Sequence, residues 1–116
     1  MEKVKKYRQL VCKILREEYE DLLGNPNKAI KPIFIQDDKN GHYLLYLDGW
    51  QGARRIYGCS VHVEVNETGK IWLHLDETDL QIGQMLLDNG VPKKDIVPGF
   101  IAPARRPRLR CLSGFG

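Results

Sequence analysis

VHVEVNETGKIWLHL, residues 61–75, decides the fold. Two runs of alternating apolar and polar residues flank Asn66-Glu67-Thr68-Gly69-Lys70. An Asn opening and a Gly in fourth place suit a type I turn closed by a left-handed glycine, a three-residue hairpin loop with a bulge. Pairing Asn66 with Lys70 sets Val65 against Ile71, Val63 against Leu73 and Val61 against Leu75, all apolar and on one face. A one-residue slip sets the valines against Lys70, Trp72 and His74 and mixes the faces, so the register is specified.

Upstream, Asp38-Lys39-Asn40-Gly41-His42 separates two more apolar runs in the same way. Pairing Asp38 with His42 puts Ile35 beside Leu45 and Ile33 beside Leu47 on the buried side. Phe34, Leu44 and Tyr46 then alternate onto the second face, with Ile56. The two hairpins make a four-stranded antiparallel sheet in meander order. They are joined by YLDGWQGARRIYGCS, residues 46–60, where Gly49 and Gly52 read as turn residues.

Helices flank this sheet. Val4, Tyr7, Leu10, Val11, Ile14, Leu15, Tyr19 and Leu22 recur at steps of three and four, the stripe of an amphipathic helix. Gly24 and Pro26 end it. A second helix is predicted from near Thr78, with Thr78 and Gln81 at capping-box spacing and acids at Asp76, Glu77 and Asp79. Ile82, Met85, Leu86 and Leu87 supply its apolar side, and Asn89-Gly90 stops it. PKKDIVPGF, residues 92–100, reads as a short turn and an extended segment. The expectation is an α+β fold: an N-terminal helix, a four-stranded antiparallel meander, a second helix and an extended C-terminal tail.

The chain has 116 residues, enough for one domain with one packed core. That domain is taken as residues 1–116, with 104–116 a basic tail that is either mobile or docked on a partner. The net charge of +3 is concentrated there, in Arg105, Arg106, Arg108 and Arg110. Setting those four aside leaves 14 of the 18 basic residues against 15 acidic ones, a nearly neutral body. Such a body argues against a domain-wide nucleic-acid face and leaves a local basic arm. No apolar run spans a membrane, and MEKVKKYRQL lacks the apolar core of a signal peptide, so a cytoplasmic protein without a membrane partner is expected. Three scattered cysteines suit reduced thiols better than disulfides.

Catalytic chemistry finds little footing. His62 and His74 fall opposite each other on the second face, beside Glu64 and Trp72. Two imidazoles and a carboxylate could bind a metal or serve a hydrolase, but a polar sheet face explains them with fewer assumptions, and neither metal nor cofactor is expected. By alternation from Val61, Cys59 points to the core and is inert. The glycines near Trp50 lack the strand–GxGxxG–helix setting of a phosphate-binding loop. The second face is more informative. Aromatic and aliphatic residues on both sides of one sheet call for a covering, by the C-terminal segment, a second copy or another partner. Assembly beyond the monomer, a dimer first, is therefore expected.

The residues also carry a likeness. YRQLV (residues 7–11), DGWQGARRIYGCSVHVEV (48–65), GKIW (69–72) and GVPKKDIVPGF (90–100), with Asp76 and Thr78, resemble the XisI family, the fdxN-element excision controlling factors of cyanobacteria. The likeness covers residues 1–103, and the ending RRPRLRCLSGFG departs from the family pattern. The resemblance implies a non-enzymatic accessory protein that acts with an XisH-like partner when a site-specific recombinase excises a DNA element during heterocyst development. Docking on that partner, with Trp50 as a recognition tip, Arg54 and Arg55 as polar anchors and Tyr57 and Trp72 as further contacts, is the first mechanism. The plain alternative is that Trp50 covers the sheet edge. A second mechanism is direct DNA contact through Arg105, Arg106, Arg108 and Arg110, supported by Arg54 and Arg55. A third is antitoxin-like inhibition of a partner nuclease.

Overall fold

A computed structural model describes residues 2–24, 29–76 and 81–99. Helix α1 (Glu2–Leu23) opens the chain. Strands β1 (Ile30–Asp37), β2 (His42–Gln51), β3 (Arg54–Val65) and β4 (Ile71–Asp76) follow, then helix α2 (Ile82–Asp88). A single 3-10 turn (Lys93–Asp95) leads into β5 (Ile96–Pro98). The strands lie in the order β1-β2-β3-β4-β5. The first three contacts are antiparallel, and β5 joins parallel to β4. The α+β class and the meander hold, but the sheet has five strands and is mixed. The segment expected as a plain extension is β5. Three residues are too few to display a period, and α2 supplies the crossover that a parallel neighbour requires.

The stripe on α1 packs as its spacing dictates. Val4, Val11, Ile14 and Leu15 are buried, and Tyr7, Leu10, Tyr19 and Leu22 pack around them. They meet Tyr43, Leu45, Val61, Val63, Val65, Ile71 and Leu73 from the sheet, and Ile82, Leu86 and Ile96 close the core. The buried Tyr43 ring keeps its hydroxyl satisfied by donating to Asp38 Oδ1 at 3.0 Å.

The second hairpin keeps its expected turn. Gly69 sits at φ 85°, and Asn66 Oδ1 accepts from the Thr68 and Lys70 amides. Val65 pairs with Ile71 and Val63 with Leu73. Beyond them an irregularity between His62 and Val63 moves Val61 opposite Asp76, not Leu75. The first hairpin is one residue off the expected register. Asp37, not Asp38, pairs with His42, so Phe34 lies opposite Leu45 and Ile35 opposite Leu44. The Asp37 carboxylate accepts from the Asn40 amide and side chain, and Gly41 N–H donates to Asp37 O at 2.8 Å. That four-residue loop moves Phe34 to the core, against Tyr19, and Ile33 and Ile35 to the second face. A second bulge leaves Ser60 between the pairs Leu45–Val61 and Tyr46–Cys59. Cys59 therefore shares the face of Tyr46 and does not point to the core.

Helix α2 begins at Ile82, whose amide donates to Asp76 Oδ2 at 3.0 Å. Gln81 is left-handed and makes no side-chain cap, so the expected capping box is not formed at that end; Thr78 lies outside the described residues. The helix stops as expected. Gly90 is left-handed at φ 90°, and Val91 N–H returns to Leu86 O.

Candidate protein-binding surface

Strands β2 and β3 run on past the rest of the sheet. β4 reaches only as far as Val61, so residues 54–60 of β3 form an arm with β2. Gly52 at φ 62° opens its two-residue turn, the pattern of a type II′ hairpin. The joining stretch is thus itself a hairpin. Gly49 is required for a different reason. It is buried where β1 begins, and a Cβ there would overlap the Ala29 carbonyl.

At the arm's end Arg55 is held from several sides. Its Nη2 pairs with Asp48 Oδ1 at 2.7 Å, and its Nη1 donates to Gly49 O at 2.9 Å. The guanidinium carbon lies 5.4 Å from the Trp50 ring centre and 5.1 Å from that of Tyr57, within cation–π range of both. Trp50 is 52% exposed and Tyr57 64%. Two large aromatic surfaces are thus fixed in solvent around one arginine. Arg54 pairs with Gln51, and strand alternation sends it to the other side of the arm. Trp72 is elsewhere. It pairs with Glu64 and stacks on His74 with centroids 6.0 Å apart. Glu64 is nine residues along β3 from Arg55, roughly 30 Å at ~3.3 Å per residue. Trp50, Arg55 and Tyr57 therefore form one cluster, and Arg54 and Trp72 stand outside it. Arg105, Arg106, Arg108 and Arg110 lie outside the described residues.

Around Trp72 the second face holds a histidine cluster larger than the sequence suggested. His42 Nδ1 lies 3.0 Å from His62 Nε2, and His74 Nε2 lies 2.8 Å from Glu64 Oε1. The His42 and His62 rings are 5.2 Å apart and the His62 and His74 rings 4.7 Å. His42 was missed, although it shares strand parity with Leu44 and Tyr46, which was signal enough. Its Nε2 faces Glu64 Oε2 at 3.9 Å while its Nδ1 faces His62. The contacts form a line, not a convergent set, and no group of three or more ligands among the described residues is placed to hold a metal. Burial, and then the neighbouring imidazoles of His74 and His42, hold His62 below the ordinary histidine range, although Glu64 pulls the other way. Half-buried Cys59 donates its thiol to Val61 O at 3.2 Å.

Elsewhere, conserving the architecture explains the remaining polar residues. Asp95, 2% exposed, accepts from Tyr7 Oη at 2.6 Å and pairs with Lys3 at 3.0 Å and Lys70 at 3.7 Å. Burial pushes its carboxyl up, but the Tyr7 and Lys3 hydrogen bonds and the two lysine charges outweigh it and leave it below the usual range. Burial and then the same contact raise Tyr7 to about 12. Arg8 ties the two hairpins together, donating to Val65 O and to Asp38 O. An open groove of about 650 Å³ beside α1 is lined by Lys5, Arg8, Cys12, Arg16 and Gln36, but Arg8 and Arg16 are already engaged within the chain. No described helix is long and apolar enough to cross a membrane.

An aromatic arm, a mixed sheet with both helices on one side and sequence motifs that serve as its joints define a small α+β protein without an assembled catalytic group among the described residues. The XisI protein family model matches residues 1–115, and the chain belongs to the XisI family. It is similar to a solved XisI-like protein from Anabaena variabilis ATCC 29413, with 37% identity, 89% of this chain and 92% of that one covered, and a TM-score of 0.79. It is also similar to the fdxN element excision controlling factor XisI of the same organism, with 31% identity, 90% and 92% covered, and a TM-score of 0.73. No curated protein matches the chain.

Proposed function

We propose that this protein is a non-enzymatic accessory factor in the excision of a DNA element, and that it works by docking on an XisH-like protein through its β2–β3 arm. The observation that carries the docking reading is the fixed trio at the arm's end. Trp50 and Tyr57 are held in solvent on either side of Arg55, whose charge is matched by Asp48. Interface anchors are enriched in these three residue types, and rigid aromatics lose little entropy on binding. The family supports the excision role, since the relative at 31% identity is an excision controlling factor. Direct DNA contact through Arg55 is less favoured, because its charge is already neutralised within the chain.

The test is co-purification with the XisH-like protein of the same genome, using wild type, Trp50→Ala and Tyr57→Ala. Thermal melting establishes that each variant is folded. Loss of the complex in folded arm variants supports the reading. A complex that both variants retain, or no complex with wild type well above ~1 μM, a weak affinity for a specific pair, overturns it.

A further inference from the structure

One long side of the β2–β3 arm is a strand edge. β4 pairs with β3 only from Val61 to Val65, so residues 54–58 pair with β2 alone among the described residues. The register tells which backbone groups face outward. Trp50 N–H donates to Ala29 O, on the β1 side, at 3.0 Å. Its neighbour on β3, Arg55, therefore sits at a non-hydrogen-bonded position and turns its own N–H and C=O away from β2. Tyr57, two residues on and opposite Asp48, does the same. Both residues are exposed. We propose that the arm holds its partner by strand addition: an extended segment of the partner protein pairs with residues 54–58 of β3, apolar where it meets Tyr57 and acidic where it meets Arg54. The proposal rests on the docking reading above and names what docks.

The backbone selects the shape of the occupant. A row that alternates donors and acceptors is matched by another extended backbone, at the ~4.8 Å spacing of paired strands. A helix has already used those groups on itself, and a phosphate offers acceptors only. The other outer edges are blunted. β1 carries Lys31 and Pro32, and β5 has three residues and ends in Pro98. Residues 54–58 contain neither lysine nor proline. This edge also continues the aromatic trio, since Arg55 and Tyr57 supply both its outward backbone groups and two of the three side chains.

The side chains select the chemistry. On the side of the trio, Tyr57 is 64% exposed and stands next to the edge, where an apolar residue of an added strand would pack on its ring. The other side presents Arg54 and Ile56. Arg55 is matched by Asp48 at 2.7 Å, whereas Arg54 is exposed and has no ion pair among the described residues. The unmatched charge of this edge is thus one cation, and its complement is an acid on the added strand. Alternation lets one segment meet both demands, with apolar and acidic residues on its opposite sides. A second copy placed edge to edge at the same residues would bring arginines and no acid.

Amide hydrogen exchange tests this, read residue by residue by NMR on the full chain, alone and with the XisH-like protein of the same genome. On binding, the Arg55 and Tyr57 amides are expected to slow by about tenfold or more, because each gains a hydrogen bond. Arg54→Glu, shown to be folded by thermal melting, is expected to weaken the complex about tenfold, and Arg54→Lys to retain it. A complex in which both amides keep their free rates overturns strand addition and leaves docking by the side chains alone. A complex that Arg54→Glu leaves at full strength overturns the acidic segment. No complex with wild type overturns the docking reading and this proposal with it. Slow exchange at both amides in the chain alone, with twice the chain mass by light scattering, gives the edge to a second copy and also overturns the proposal.

Discussion

The two faces of one sheet obey different rules in this protein. The helix-covered face is almost wholly aliphatic and dry, with Leu45, Val61, Val63, Val65 and Leu73 fully buried. The opposite face mixes aliphatic, aromatic and imidazole side chains, mostly half-buried. On the covered face each residue is fixed by several neighbours, so its identity is a matter of stability. On the other, the side chains also touch one another, as His62 touches His42 and His74, but most keep part of their surface exposed. The lesson is that a strand's two alternating sets of residues can follow different packing rules.

The largest effect that would break this contrast lies on the covered side. Leu45→Ala is expected to cost about 2–5 kcal/mol in urea unfolding, the cavity range for a buried leucine. A loss below ~1 kcal/mol, as at surface positions, would show that the face is not the tightly packed one. Asp95→Ala is next, at about 1–3 kcal/mol, because it removes the acceptor of the part-buried Tyr7 hydroxyl and the partner of two exposed lysines. The wild-type pH profile carries the same residue's mark. A folded pKa below the unfolded one gives stability that is present above the unfolded carboxylate value and lost as pH falls through the folded one. Acid unfolding below about pH 4 should therefore be shallower in Asp95→Ala than in wild type. Gly49→Ala is expected to cost about 1–3 kcal/mol, since the new methyl must displace the backbone of Ala29. Thermal melting reads the difference. At the small end, Trp50→Ala is expected to change stability by less than ~0.5 kcal/mol while abolishing partner capture. A large melting shift in that variant would instead favour the reading in which Trp50 covers the sheet edge.

Much of this was legible before any coordinates. The α1 stripe placed its buried residues correctly, because a period near 3.6 over five turns has no rival reading. The second hairpin was legible because one of its faces is purely aliphatic and a slip would be visible. The first was not, because Ile33, Phe34, Ile35, Leu44 and Leu45 are apolar on both sides. Either register buries hydrocarbon there, and the bonds that Asn40 and Gly41 give to Asp37 fix the one adopted. Bulges leave no compositional trace, so the alternation argument failed at Ser60 and carried Cys59 to the wrong face. Of the surface, the placing of Trp50, Arg54 and Arg55 around one tight connection was legible from the sequence. The separation of Trp50 from Trp72 and the inclusion of His42 in the imidazole cluster required the register.

Much of what makes the sequence resemble its family turns out to be joinery. Tyr7 and Arg8 of YRQLV grip Asp95 and the hairpin ends, and Gly69 of GKIW is the left-handed turn residue. The family motifs hold the sheet in shape, and the arm is what that shape presents.

The Tyr7–Asp95 bond spans 88 positions of the chain. A ribosome adding residues at ~5–20 per second needs roughly 4–18 s to make the second partner after the first. Through that interval Tyr7 lacks its acceptor, and α1 is held by its packing against β1, β2 and β3 alone. The last link that ties the first helix to the far edge of the sheet is thus a late one.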